Sequence, residues 1–79
     1  MFDLPGMDIK LKVGQRIKDL RKKLGLSQEG LANEAEVDRT YVTDVENGRR
    51  NVSVEILERL IKALKISISE FFNSKEFKK

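Results

Sequence analysis

Apolar residues recur along this chain at the spacing of α-helices, and capping or turn residues separate the periodic stretches. From about residue 10 to residue 24 they follow one another at steps of four, three and four, which places them on one face of an amphipathic helix: Val13, Ile17, Leu20 and Leu24. Gly25 can close this helix. The pattern predicts a first helix with one buried face and a basic outer side.

The stretch from Ser27 to Arg50 has the pattern of two short helices joined by a tight turn. Ser27 and Asp38 are good N-caps for the two helices, and Asn47-Gly48 is a typical helix end. The inward positions are small or branched: Leu31, Ala32, Ala35, Val42 and Val45. This is helix-turn-helix spacing, in which the outward face of the second helix can enter the major groove of DNA.

Two more helices are predicted beyond residue 52. Ser53 caps a fourth helix with a wide apolar stripe, which suggests packing on two sides: Ile56, Leu57, Leu60, Ile61 and Leu64. Ser67 and Glu70 have the spacing of a capping box, so a short fifth helix is expected from Ser69 to about Asn73. The sequence therefore predicts an all-α, compact five-helix domain.

The apolar residues around the fifth helix exceed what so short a helix can bury in a small core. Ile66, Ile68, Phe71 and Phe72 are all large, and contiguous exposed apolar surface usually marks an interaction site. We expect a homodimer whose interface contains Leu64, Ile66, Ile68 and Phe72. The alternative is that this set closes the bottom of the monomer core, with Ile66 and Phe71 as its main members.

Seventy-nine residues suffice for one small domain. We interpret residues 1–8 as a flexible leader because Pro5-Gly6 is a turn pair, residues 9–74 as the helix-turn-helix domain with its C-terminal dimerisation helix, and residues 75–79 as a frayed tail. Phe77 has no assignment within that tail.

The residue types that are missing exclude several kinds of chemistry. With no cysteine and no histidine, disulfides, thiolate zinc sites and imidazole bases are unavailable. We expect no catalytic residue, metal, cofactor or small-molecule ligand. No apolar run approaches the roughly 20 residues that span a bilayer. No membrane partner is therefore expected, and the predicted location is the cytoplasm, in association with the nucleoid.

Charge is distributed unevenly along the chain. Residues 1–26 carry seven Lys or Arg and three acids, a net +4, whereas residues 27–46 carry only Arg39 against six acids, a net −5. Residues 47–52 add +2 and residues 53–79 add six bases against four acids, another +2. Attraction to phosphate must therefore come from the flanks, although most lysines of the first helix can equally be explained as a solvated surface.

The first turns of the third helix carry the candidate base-reading side chains. Arg39, Thr40, Thr43 and Asp44 point away from the Val42 and Val45 stripe. Arg39 is the strongest candidate because a guanidinium can bind guanine O6 and N7 together. The threonines offer a methyl to thymine or a hydroxyl to a base or phosphate. Asp44 can accept from cytosine, but we favour a role in modulating Arg39.

Three motifs resemble those of the phage-repressor (Xre/Cro) helix-turn-helix family over about residues 11–73. They are Leu24-Gly25-Leu26-Ser27-Gln28, Leu31-Ala32 and Val45-Glu46-Asn47-Gly48. The segment Asp38-Arg39-Thr40-Tyr41 and the residues Glu46, Asn47, Arg49, Arg50 and Asn51 also resemble the controller proteins of restriction-modification systems, which are dimeric transcriptional regulators.

The resemblance assigns further roles. It implies contacts to the DNA backbone by Gln28, Asn47, Arg49, Arg50 and Asn51, a role that suits a helix N-terminus and adjacent arginines. The hydroxyls of Ser27 and Tyr41 suggest the same role for these two residues. Alternatives remain open: Gln28 as a helix-start residue, Tyr41 packed over the turn, and 47–51 as a plain surface loop. The resemblance also implies a structural ion pair between Arg21 and Glu46. It places Glu36 where the family has glycine with positive φ, at a cost of about 1 kcal/mol.

The leading interpretation is a sequence-specific transcriptional regulator that binds a near-palindromic operator on double-stranded DNA as a dimer, with the third helix in the major groove. A second is an antitoxin or adaptor that keeps the fold and uses its acidic middle to bind a basic protein. The weakest is an enzyme with magnesium held by Glu29, Glu34 and Glu36.

Overall fold

The structure, a computed structural model, describes residues 8–78 and contains each of the five helices that the sequence predicts. Their bounds are α1 Ile9–Lys23, α2 Gln28–Ala35, α3 Arg39–Glu46, α4 Val54–Ala63 and α5 Ile68–Phe72. The all-α fold class is confirmed. Residues 1–7 of the predicted leader, and Lys79 of the predicted tail, lie outside the described residues.

Each helix begins at a side-chain cap that the local sequence supplies. The caps are Asp8, Ser27, Asp38, Ser53 and Ser67. Ser27 Oγ accepts from the backbone N–H of Gly30 at 2.9 Å. The predicted capping box is present, since Ser67 Oγ accepts from Glu70 N at 3.0 Å and Glu70 Oε1 accepts from Ser67 N at 3.2 Å. These caps satisfy helix N–H groups that have no partner within the helix.

One hydrophobic core joins all five helices. Its fully buried members come from every element and include Ile17, Leu31, Val42, Leu60 and Phe71. The predicted stripe of α1 is buried except for Leu24, which is exposed because α1 ends at Lys23 and Leu24 is its C-cap. Within residues 8–78, no helix is long and apolar enough to cross a bilayer.

Gly14 allows α1 to lie directly against the end of α3. A Cβ at this position would overlap the carbonyl oxygen of Val45 and would lie 2.9 Å from that of Glu46. The Val45 carbonyl accepts the N–H of Gly48 at 3.0 Å, so it cannot move aside without loss of the hydrogen bond that closes the helix end. Only glycine therefore permits this approach, which fixes the end of α3 relative to α1.

Arg16 ties α1 to the end of α5. Its Nε donates to the carbonyl of Phe71 at 2.8 Å and its Nη2 to that of Glu70 at 2.9 Å. A cation near the C-terminus of a helix also interacts favourably with the helix dipole. Arg16 thus holds α5, the predicted dimerisation helix, against the helix that also packs on α3.

The structure corrects one member of the predicted dimer interface. Leu64 is 1 % exposed and belongs to the monomer core, so its side chain is not available to a second subunit. Ile66 is half-buried against the same core. Ile68 and Phe72 remain exposed, at 53 % and 37 %. The sequence misplaced Leu64 because the apolar stripe of α4 is wide, and only packing shows which part of it faces inward.

The segment after α5 turns back onto the domain. The ring of Phe77 lies 4.9 Å from that of Phe72 and 6.0 Å from that of Phe71, measured between centroids. Ser74 Oγ donates to Glu76 at 2.6 Å, and this hydrogen bond lowers the pKa of Glu76. The sequence predicted a frayed tail at 75–79 and assigned Phe77 no contact. The structure corrects this prediction at Phe77, whose ring packs against Phe71 and Phe72.

The turn between α2 and α3 contains the positive-φ residue that the sequence predicts. Glu36 has φ 59° and ψ 46°, and Arg59 Nη1 donates to its carbonyl oxygen at 3.3 Å. Lys65, after α4, also has positive φ, at 64°, which the sequence did not indicate. Both are non-glycine residues in the left-handed region, where a Cβ is strained.

Glu36→Gly is expected to raise the free energy of unfolding by about 0.5–1 kcal/mol, because glycine has no Cβ to strain at this φ. Urea unfolding of the variant and the parent protein measures the difference. Glu34→Gly is the matched control, since Glu34 lies inside α2, and it should destabilise by about 1 kcal/mol. A loss of stability in Glu36→Gly would contradict the strain argument.

Candidate nucleic-acid interface

A buried ion pair connects α1 to the end of α3. Arg21 Nε lies 2.6 Å from Glu46 Oε2 and Arg21 Nη2 donates to Glu46 Oε1 at 3.0 Å, a bidentate arrangement. Arg21 Nη1 donates to the carbonyl of Leu26 at 2.8 Å. The hydrogen bond to Glu46 raises the pKa of Arg21, although burial acts in the opposite direction. This is the pair that the family resemblance implied, and it fixes the C-terminal end of α3.

Gln28 extends this network from α2 to the outer side of α3. Its Nε2 donates to Glu46 Oε1 at 3.0 Å, and its Oε1 accepts from Thr43 Oγ1 at 3.0 Å. The amide therefore bridges the two helices of the helix-turn-helix. One Nε2 hydrogen remains for an external acceptor, because an amide nitrogen has two.

The candidate base readers lie on the outer side of α3 at different depths. Arg39 and Thr40 are exposed, whereas Thr43 and Asp44 are half-buried. Val42 and Val45, on the opposite side of the helix, are buried in the core. The structure therefore brings the four candidates to one surface, while the opposite side of α3 packs in the core.

Arg50 is held by Tyr41 and Asp44. Its guanidinium carbon lies 4.3 Å from the centre of the Tyr41 ring, and its Nη2 lies 3.6 Å from Asp44 Oδ2. Arg49 Nη2 lies 3.9 Å from Asp44 Oδ1, with an exposed side chain. The expectation that Asp44 modulates Arg39 is therefore corrected, since its carboxylate faces Arg49 and Arg50.

Tyr41 both packs and keeps a polar group at the surface. Its ring lies against the hydrophobic core, and its hydroxyl oxygen accepts from the backbone N–H of Ser53 at 3.3 Å. Because this contact uses only the oxygen, the hydroxyl proton is still available to a phosphate. Tyr41 can therefore both pack over the turn and contact the DNA backbone, the two roles that the sequence left open.

The remaining backbone-contact candidates flank α3. Ser27 lies at the N-terminus of α2, where free N–H groups favour anions, and its hydroxyl proton is not used by the cap. Asn47, Arg49 and Asn51 are exposed after α3. In the chain, the start of α2 precedes α3 and this loop follows it.

Residues 17–71 match the model of the family described as "Helix-turn-helix". The control protein C.MunI of Mycoplasma sp is 47 % identical over 70 residues, which cover 87 % of this chain and 95 % of that protein. The control protein C.BamHI of Bacillus amyloliquefaciens is 45 % identical over 72 % of each chain. This chain belongs to the helix-turn-helix family of control proteins.

Solved structures of restriction-modification controller proteins have the same fold. C.AhdI from Aeromonas hydrophila is 48 % identical, with a TM-score of 0.77 over 80 % of this chain and 96 % of that one. C.Esp1396I, solved as a tetramer with its natural 35 base-pair operator, is 38 % identical, with a TM-score of 0.77 over 80 % and 83 %. The controller-family resemblance read from the sequence is therefore confirmed.

Sequence reasoning missed three contacts of this controller-family chain. These are the bridge of Gln28 to Thr43, the stacking of Arg50 on Tyr41 and the contact of Asp44 with the two arginines. The last had a local signal, because Asp44, Arg49 and Arg50 are close in sequence. The first joins residues fifteen positions apart on different helices, so it requires the packing angle of α2 on α3.

Proposed function

We propose that this chain regulates transcription by binding a near-palindromic operator as a homodimer, with α3 of each subunit in the major groove. Membership of the control-protein family makes it a DNA-binding transcription regulator. The observation that carries the more detailed proposal is the outer face of α3, where Arg39, Thr40 and Thr43 lie on a helix held from behind by the Arg21–Glu46 pair. Restriction-modification genes, as for the controller relatives, are the proposed targets.

Arg39, Thr40, Thr43 and Asp44 are proposed to contact bases. Ser27, Gln28, Tyr41, Asn47, Arg49, Arg50 and Asn51 are proposed to contact the sugar-phosphate backbone. The second set places hydrogen-bond donors before and after α3 and adds positive charge after it through Arg49 and Arg50, which suits a role in positioning. The role is non-enzymatic, needs no cofactor, and is performed in the cytoplasm.

The dimer surface is proposed to lie on α4 and α5. The exposed apolar side chains there are Val54, Ile68 and Phe72, and they line a groove together with Leu57, Glu58 and Ile61. A continuous apolar face of this kind suits a two-fold interface, in which the same patch of each subunit meets itself. Two recognition helices would then reach successive major grooves about 34 Å apart.

The adaptor alternative rests on the acidic stretch 27–46, and the structure weakens it. Glu46 is paired with Arg21, and Asp44 lies beside Arg49 and Arg50, so two of the six acids already face cations. A salt titration of binding to mixed-sequence duplex DNA separates the two functions. Affinity should fall steeply as salt rises. No binding at low ionic strength would favour the adaptor.

Arg39→Ala and Arg49→Ala should differ in how much affinity they lose for the operator compared with random DNA. Arg39→Ala is expected to lose about 1–3 kcal/mol on the operator and far less on random DNA, because a base contact is lost. Arg49→Ala should weaken both DNAs alike and reduce the salt slope by about one. An operator is first obtained by selection from a random pool, and affinities are then measured by fluorescence anisotropy.

Lys65→Ala is the matched control for these variants, since Lys65 is an exposed base after α4, remote in sequence from the proposed DNA contacts. It should leave both affinities nearly unchanged. Equal losses for Arg39→Ala on operator and random DNA would refute its assignment as a base reader.

A further inference from the structure

The network from Arg21 to Thr43 has a fixed direction of hydrogen-bond donation. A guanidinium can only donate, and a carboxylate can only accept. Arg21 donates to both oxygens of Glu46. Glu46 therefore presents only lone pairs to its other hydrogen-bond partner, Gln28. The direction is thus set in the buried part of the network, away from any ligand.

The amide of Gln28 has one possible orientation in this setting. The group that faces Glu46 Oε1, at 3.0 Å, must be the NH₂, because an amide oxygen there would meet another acceptor. The amide oxygen is then directed to Thr43 Oγ1, also at 3.0 Å. Gln28 consequently offers Thr43 an acceptor and no donor.

The hydroxyl of Thr43 has one proton, and both of its neighbours within the protein are acceptors. These are Gln28 Oε1 at 3.0 Å and the carbonyl oxygen of Arg39 at 3.2 Å. Whichever acceptor it uses, the proton is directed into the protein. The half-buried hydroxyl can therefore offer a ligand a lone pair but not its proton.

We propose that Thr43 reads an exocyclic amino group in the major groove, cytosine N4 or adenine N6, and that Gln28 is the positioning residue that sets this preference. In the major groove only these two amino groups donate, whereas guanine O6 and N7, adenine N7 and thymine O4 accept. A phosphate oxygen is an acceptor too, so it would compete with Gln28 for the single proton. This inference rests on the proposed function and specifies one base contact within it.

The test uses the full chain and its selected operator with single atoms removed from the bases. At each half-site position, purine replaces adenine or 2-pyrimidinone replaces cytosine, which deletes the amino group. 7-Deaza analogues of the purines delete N7 instead. At one position, loss of the amino group should weaken the parent protein about five-fold, the effect of one hydrogen bond.

Thr43→Val, which keeps the shape but lacks the hydroxyl, should lose this sensitivity, whereas Thr43→Ser should retain it. Coupling of Thr43 to an N7 position, or coupling to no base, would overturn the proposal. If the parent protein selects no operator at all, the proposed function fails. If an operator is selected but Thr43 is not coupled to an amino group, the proposed function stands and only the base contact of Thr43 is refuted.

Gln28→Met tests the positioning role. Overall affinity should fall because a proposed backbone contact is also lost, so the coupling is the informative quantity. The five-fold effect of the amino group is expected to fall below about two-fold, since only the longer contact to the Arg39 carbonyl, at 3.2 Å, then holds the Thr43 proton inward. An unchanged coupling would show that the Arg39 carbonyl alone directs the proton and would overturn the role of Gln28.

Discussion

Arg21→Met is expected to lower the free energy of unfolding by about 3–5 kcal/mol, because it leaves the Glu46 carboxylate buried without its cation. A small domain has a total stability of about 5–15 kcal/mol, so this loss can leave a large fraction of the chain unfolded at 37 °C. Urea unfolding followed by circular dichroism measures it, and thermal unfolding provides a second reading if the variant is too unstable.

The double variant Arg21→Met/Glu46→Met should recover most of that loss, since it removes both charges and leaves an apolar contact in their place. Arg49→Met is the matched single control, because its side chain is 66 % exposed and its loss should change stability by less than about 0.5 kcal/mol. If the double variant is as unstable as the single one, the loss of stability comes from the changed side-chain shape and not from the unpaired charge.

Ile68→Glu is expected to weaken dimerisation by about 100-fold or more. Ile68 is 53 % exposed on the α4–α5 face, and a two-fold interface would receive the new carboxylate twice, with like charges near each other. Sedimentation equilibrium measures the monomer–dimer constant. Operator affinity should fall with it, because a monomer holds only one half-site.

Ser69→Glu serves as the control for Ile68→Glu. It adds the same charge to the neighbouring exposed residue of α5, which is absent from the apolar groove. It should leave the dimer nearly intact. If Ile68→Glu remains dimeric, the α4–α5 face is not the interface, and the exposed Phe72 needs another explanation.

The helices and the turn between α2 and α3 were predictable because their signals are local. Capping side chains fix where helices begin, and Ser27, Asp38, Ser53 and Ser67 each cap the helix that the sequence assigned to them. The position of Glu36 followed from the family pattern. Each of these features depends on a few consecutive residues or on a known motif.

The parts that could not be predicted depend on distances between helices. In the sequence, Gly14 looks like a weak point within a helix, and only the nearness of α3 shows what it permits. Arg16 meets a carbonyl fifty-five residues away. Leu64 was misplaced for the same reason, since periodicity gives the width of a stripe and not the side on which a neighbour lies.

Helix α1 connects the proposed dimer surface to the proposed DNA-reading helix. Gly14 and Arg21 fix α3 against it, and Arg16 fixes α5 against it within the same helix. In the proposed dimer, the separation of the two reading surfaces is thus determined by one rigid segment in each subunit. We therefore expect the spacer length between half-sites to depend on α1, a helix to which no base contact is assigned.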